Sequence, residues 1–498
     1  VIGDGLLNNY TITVPVGFNN ITIGSLQINN NSVLDLTSTS GHNFGFIPEA
    51  KVTGNGRLRI SSVAGATATA VFPSGDFGLF LNNTGGTVEY YSTATIGATT
   101  LSIPAVKADA VPLIAYRNLL ISSYTGKTIV LPNTDLTIYG DYTINGTTTG
   151  INHLSASATN SYTVTVLGNL LVNSGTLQYP NVINRLQNLV VEGNATINSG
   201  ATFNVNNNGN VVANSLKLNA NFTNNGSLDF YPGAAAYCNT TFLGGSNNVI
   251  DGTTALRTRF NAIIVNKGTS RNSVLNVTVN NTNFSLNTAL ANALTLTNGT
   301  FRLTTNTTIN LSTAAFTIPT TGCVSANGGI FNIATANNNA SDLYLNGRLE
   351  VLAGTITIGT IGNNIHNDIE YASAGMPEII VQGGTLNVNG QVRRSTTIET
   401  GSLNYTQTGG TVNIYGRNAQ NARPLFEILN TGSLFRMSGG TLQLINNFNN
   451  ALYNDLYLMP ETSDVTGGLV QLGNNTTAAS QFNIVSTSPI WNLTVDGT

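Results

Sequence analysis

The residues best suited to acid–base chemistry lie in one stretch: Asp368, Glu370 and Glu378, with His366 just upstream and the adjacent pair Arg393-Arg394 downstream. Cleavage of a glycosidic bond needs two carboxyl groups about 5 to 9.5 Å apart. Acidic residues on adjacent strands, or one or two coils apart in a stack of strands, meet that distance. A polysaccharide lyase or hydrolase is therefore one reading of the stretch. The preferred reading is a solvated corner loop, because 371–377 has the composition of an insertion between strands. No catalytic residue is assigned, and replacing Glu370, Glu378 or His366 by Ala is expected to leave fold and function largely intact.

Metal and cofactor chemistry finds little to stand on. His42, His153 and His366 are far apart and lack metal-ligand spacing. The sequence has no Gly-Gly-x-Gly-x-Asp repeat for calcium rolls, no phosphate-binding loop, no nucleophile elbow and no Cys-His arrangement. A corner calcium near Asp4 or Asp251 has no positive support, and no cofactor is expected. Cys238 and Cys323 are about three coils apart at the repeat length derived below, or roughly 14 Å at the spacing of stacked strands. A disulfide requires Cα atoms within about 7 Å, so two separate buried thiols are expected. The remaining handle is aromatic. Tyr90, Tyr91, Tyr116, Tyr124, Tyr139 and Tyr142 concentrate in one region, the best place for a carbohydrate-contact surface; the competing reading has them closing the ends of the core.

Whatever positions these residues is written in four boxes near the end of the chain. They are Gly383-Gly384-Thr385-Leu386-Asn387-Val388, Gly409-Gly410-Thr411-Val412-Asn413-Ile414, Gly439-Gly440-Thr441-Leu442-Gln443-Leu444 and Gly467-Gly468-Leu469-Val470-Gln471-Leu472. Counted on the second glycine they recur after 26, 30 and 28 residues, and Gly354-Thr355-Ile356-Thr357-Ile358 lies 30 residues earlier. Each is a turn followed by an apolar-polar-apolar strand. One such unit per coil, at a period near 28, is the mark of a solenoid. The expected fold is all-β, a right-handed parallel β-helix with coils of about 26–30 residues and under about 5% helix. With about 18 coils the rod would measure roughly 85 Å. Leu386/Val388 and their counterparts should stack inside, and Asn387, Asn413, Gln443 and Gln471 outside.

Composition agrees. Charged residues are 8% of the 498, against about 25% in ordinary globular domains. Identical charges stacked about 4.8 Å apart would repel, whereas amides and hydroxyls can bond in ladders. A net charge of −3, with thinly spread basic residues, argues against nucleic acid. No stretch approaches the roughly 20 apolar residues of a membrane helix, so membrane insertion is not expected. Hydrophobic residues at 41% in regular alternation separate the chain from disordered sequences.

Similar boxes occur earlier at Gly86, Gly175, Gly226 and Gly299, less evenly spaced. Longer series begin at Tyr116-Arg117-Asn118-Leu119-Leu120-Ile121, Phe260-Asn261-Ala262-Ile263-Ile264-Val265 and Trp491-Asn492-Leu493-Thr494-Val495. Three segments are read: 1–222, less regular; 223–340, middle; and 341–498, regular. Both ends look like cuts in a longer protein, and Leu493 and Val495 should want a following coil. The aromatic-Asn-apolar starts and Gly-Gly-Thr boxes resemble the very large cell-surface adhesins of Bacteroidetes that use the type IX secretion route, SprB-like gliding-motility adhesins among them. That resemblance implies a secreted, extracellular, non-enzymatic adhesin or stalk at the cell surface. It also implies partners in the secretion and gliding machinery, with a surface polysaccharide or other extracellular ligand. The alternatives are the polysaccharide-degrading β-helix enzyme and a carbohydrate- or ice-binding solenoid module.

Overall fold

The computed structural model describes residues 1–497 apart from 4–7, 48–50, 62–66, 95–98, 155–159, 181–185, 208–211, 234, 253–255, 280–283, 305, 312–314, 337–338, 340, 373–374, 376, 420–422, 449–453 and 479. Among the described residues the only helix is the four-residue turn Gly78–Leu81; the remaining regular structure is strand. The expectation of a nearly all-β parallel solenoid holds. The chain forms two compact units, Val1–Thr241 with Gly252–Asn261, and Phe242–Asp251 with Ala262–Thr498.

In the first unit each coil contributes three strands to three parallel sheets. Leu136–Ile138, Tyr142–Asn145 and Ile151–His153 make one coil, and Tyr162–Val166, Leu170–Ser174 and Thr176–Tyr179 lie directly over them in register. Gln187–Val191, Ala195–Ile197 and Thr202–Val205 follow as the next layer. Alternation puts Leu170, Val172, Leu177 and Tyr179 in the interior, where each is buried. Full burial of such a side chain stabilises by about 1.5–3 kcal/mol. The early Gly boxes do not form one column. Thr87–Tyr91 pairs with Arg57–Ile60 and Asn118–Ser122, whereas Thr176–Tyr179 and Ser227–Asp229 flank Thr202–Val205 in a different sheet. Uneven spacing in the sequence thus reflects boxes on different faces.

In the second unit the five regular boxes do form one column. Ile356 lies opposite Leu386, Leu386 opposite Val412, Val412 opposite Leu442 and Leu442 opposite Val470, all in parallel register. All five are buried, while Thr357, Asn387, Asn413, Gln443 and Gln471 between them remain partly exposed. Gly384, Gly410, Gly440 and Gly468 take φ of +64°, +65°, +79° and +96°, the left-handed region that glycine enters without a steric penalty. At Gly384, Gly410 and Gly440 the preceding coil's glycine backbone lies against the turn, and at Gly468 the Met437 side chain does.

Outward polar residues bond up and down the stack. Asn145, Asn173 and Asn198 form an amide ladder at 2.9 and 2.7 Å, and Asn413 donates to Asn387 at 2.9 Å. A second ladder binds side chain to main chain. Asn118 Oδ1 accepts the N–H of Asp141, Asp141 that of Asn169, Asn169 that of Asn194, and Asn194 that of Asn221. These groups satisfy corner N–H donors that the sheets leave unpaired. Cys238 and Cys323 are buried free thiols, and burial raises the pKa of each.

Candidate functional site

The strands Leu343–Leu345, Ile369–Tyr371 and Val392–Arg394 lie on successive coils in parallel register. Leu343, Leu345, Ile369, Tyr371 and Val392 point inward and are fully buried. Tyr344, Glu370 and Arg393 occupy the opposite phase and form one column. Just before each strand stands a polar residue: Asp342, Asp368 and Gln391. Asp342 Oδ1 accepts the N–H of Asp368 at 2.9 Å, Asp368 Oδ1 accepts that of Gln391 at 2.7 Å, and Gln391 Nε2 donates to the carbonyls of Arg423 and Pro424. This is the corner ladder of the first unit with two successive acids where that ladder has one, Asp141, between amides.

Arg393 ties the acids together. Its Nε lies 2.6 Å from Asp368 Oδ2, its Nη1 2.7 Å from Glu370 Oε2 and its Nη2 3.5 Å from Asp342 Oδ2. Burial opposes the guanidinium's charge, but the surrounding carboxylates outweigh it and raise the Arg393 pKa. Burial, and then the Asp368 carboxylate, push the Asp342 pKa up. The Asp368 carboxylate beside the His366 ring raises its pKa against the effect of burial. Asp368, Asp342 and Arg393 are all nearly inaccessible.

The acids and arginines of this stretch therefore do not lie on a solvated loop. Asp368 is completely buried, and Glu370, Glu378 and Arg393-Arg394 lie on ladder strands. The misreading came from taking 371–377 as an insertion, although Tyr371 closes a strand as a buried core residue; 373, 374 and 376 lie outside the described residues. Of the acids singled out, the structure joins Asp368 to His366 and Arg393, and Glu370 to Arg393. Glu378 is held by Arg348 at 2.7 Å and Arg271 at 2.8 Å, and Arg394 by the buried Glu427. Asp342 was missed. A signal was present: Asp342-Leu343-Tyr344-Leu345 repeats the pattern of Asp368-Ile369-Glu370-Tyr371 one coil earlier.

The tyrosine surface does not form as expected. Tyr90, Tyr116 and Tyr142 are fully buried and Tyr91 nearly so; only Tyr124 and Tyr139 of the six remain exposed. Their strand phase decides this: Tyr90 and Tyr142 share the inward phase of their strands with Val88 and Ile144. The Tyr90 and Tyr116 hydroxyls pair at 3.0 Å within the core. The other histidines serve the fold. His42 Nδ1 accepts the N–H of Ile21, and His153 Nε2 bonds Gln178 at 2.8 Å; burial lowers both pKa values. Asp251 accepts a hydrogen bond from Thr278, and Asp4 lies outside the described residues.

Acid–arginine columns recur elsewhere. In the first unit Asp35, Arg59 and Glu89 are in register on three coils, with Arg59 at 2.9 Å from Asp35 and 2.8 Å from Glu89. In the second, Arg302 and Ser325 both bond Glu350, at 3.1 and 2.6 Å. In these columns opposite signs stack. A groove of about 430 Å³ in the first unit is lined by Asn9, Thr11, Asn30, Asn31, Asn55 and Arg57 among others, with no carboxylate, histidine or aromatic ring in its lining. No family model matches the chain, and neither the curated proteins nor the solved structures give a match.

Proposed function

We propose that this chain is a segment of a secreted, surface-exposed adhesin or structural stalk, without enzymatic activity, serving attachment or gliding at the cell surface. One observation carries the reading: its buried acids are spent on binding coil to coil. Asp342, Asp368, Glu350, Glu89 and Glu427 are buried and bonded to neighbouring coils. A general acid must reach its substrate's leaving oxygen within hydrogen-bond distance, and these carboxylates have no such reach. Exposed positions along the boxes carry Thr, Asn and Gln, which suit weak, repeated hydrogen bonding to a polysaccharide. The sequence resemblance to type IX-secreted adhesins points the same way, toward an extracellular location and partners in that machinery.

The enzyme reading keeps one observation in its favour: three carboxylates, an arginine and a histidine converge at Asp368. The two readings separate in one experiment. Purified protein is incubated with a panel of acidic and neutral polysaccharides, following both retention on the immobilised polymer and release of soluble fragments. Binding without fragment release is expected. Fragment release that disappears in Glu370→Gln would replace the scaffold reading with the enzyme.

A further inference from the structure

The backbone role of Asp342 and Asp368 does not require acids. In the first unit Asn118, Asn169 and Asn194 perform the same service with neutral amides, and Asp141 is the one acid in that ladder. Two carboxylates one coil apart, where strands stack at about 4.8 Å, repel each other. Arg393 answers part of that repulsion, but it faces three carboxylates, Asp342, Asp368 and Glu370. With His366 neutral, negative charge is left over beside the buried Asp342 and Asp368, where an unpaired charge is costly.

A second observation points to what offsets it. His366 is only 9% exposed, and its Nδ1 is buried without a hydrogen-bond partner. That nitrogen stands 3.6 Å from Asp368 Oδ2 and 3.9 Å from Asp342 Oδ1, beyond hydrogen-bond range and aimed between them. The three ligand atoms lie within 4.8 Å of one another. Donors sharing one ion at about 2.0–2.2 Å stand roughly 3–4 Å apart, so small side-chain shifts would close the set. We propose that Asp342, His366 and Asp368 form a binding site for a divalent transition-metal ion of the zinc class. One imidazole nitrogen with two carboxylate oxygens suits such ions better than calcium or magnesium, which favour oxygen alone. Arg393, which bonds Asp368 Oδ2 itself and stands 3.5 Å from Asp342 Oδ2, would orient both carboxylates. The ion would clamp the coil carrying Asp342 to the coil carrying Asp368. Three protein ligands would leave a fourth position to water.

The test uses the full chain, stripped with a chelator, loaded with Zn²⁺ and dialysed. Elemental analysis should show one tightly held zinc per chain, and the thermal midpoint should rise with Zn²⁺ and not with Ca²⁺. Asp342→Asn preserves the backbone acceptor and His366→Gln preserves size; each should weaken zinc by about 100-fold or more. His42→Gln and His153→Gln should retain it. Co²⁺ loaded into the unmodified chain should give the visible bands of a low-coordinate nitrogen–oxygen site, a readout independent of whether any variant folds. No retained zinc, zinc retained equally by His366→Gln, or a cobalt spectrum like that of the hydrated ion would overturn the proposal.

Discussion

Substituting alanine at two glycines separates backbone conformation from coil stacking. Gly440 and Gly432 have similar positive φ, +79° and +85°. A Cβ on Gly440 would meet the Gly409 carbonyl oxygen at 2.5 Å and the Gly410 oxygen at 2.6 Å, both main-chain atoms of the coil beneath. A Cβ on Gly432 would meet only Ser402 Oγ at 3.5 Å, an ordinary contact. The left-handed conformation costs an L-residue about 1–2 kcal/mol at either position. Gly440→Ala adds an overpacking cost of about 1–3 kcal/mol, because neither backbone can yield without moving a coil. The expected losses are therefore about 2–5 kcal/mol for Gly440→Ala and about 1–2 kcal/mol for Gly432→Ala. Equilibrium urea unfolding reads both. Stacked coils can open separately, so amide hydrogen exchange over Thr411–Ile414 should be followed as well, and should quicken only in Gly440→Ala. Equal, small losses for the two variants would refute the close glycine-on-glycine packing on which the column rests.

Three further outcomes follow from the same geometry. Leu442→Ala should cost about 2–5 kcal/mol by denaturant unfolding. Its outward neighbour Gln443→Ala, losing one bond to the Gly473 carbonyl, should cost about 0.5–1.5 kcal/mol. Glu427→Gln removes the buried charge facing the partly buried Arg394 and the buried Arg423 and should cost about 3–5 kcal/mol. Arg436→Ala, breaking a half-exposed pair with Asp464, should cost about 0–1 kcal/mol; comparable losses for the two would contradict the structural role given to the buried acids. Lys267 is buried against the Leu243 carbonyl and Asn248 Oδ1, and burial lowers its pKa to about 8 from 10.5. Between those values the unfolded chain binds the extra proton, so stability should rise with pH across that window. Lys267→Met should flatten the rise, and an unchanged profile in that variant would assign it to another group.

The solenoid was legible because each box in 354–472 states its phase: apolar residues two apart, a polar residue between, and a glycine at the turn. Period and register followed from counting. The fate of the tyrosines was less legible, since an aromatic suits either face of a strand and only the phase of Tyr90 relative to Val88 places it inside. The Asp342 contact was hidden for a different reason. A solenoid brings together residues one coil apart, so clusters judged by nearness in sequence omit half their members. His366 and Asp368 looked like neighbours on a loop, when their partners were Asp342 before them and Arg393 after. Charge scarcity had been explained by avoidance of like-charge stacking. The structure adds a complement, columns in which opposite signs stack, as in Asp35, Arg59 and Glu89.

The parallel register of the boxes is tested most directly by cysteine pairs. Asn387 and Asn413 lie opposite each other on adjacent coils, within the roughly 4.4–6.8 Å Cα separation of a disulfide. The double variant Asn387→Cys/Asn413→Cys should form an intramolecular disulfide under mild oxidation, read by mass spectrometry of the linked peptides. Asn387→Cys/Gln443→Cys, two coils apart, should not. Linkage of the second pair and not the first would contradict the stacked-coil account.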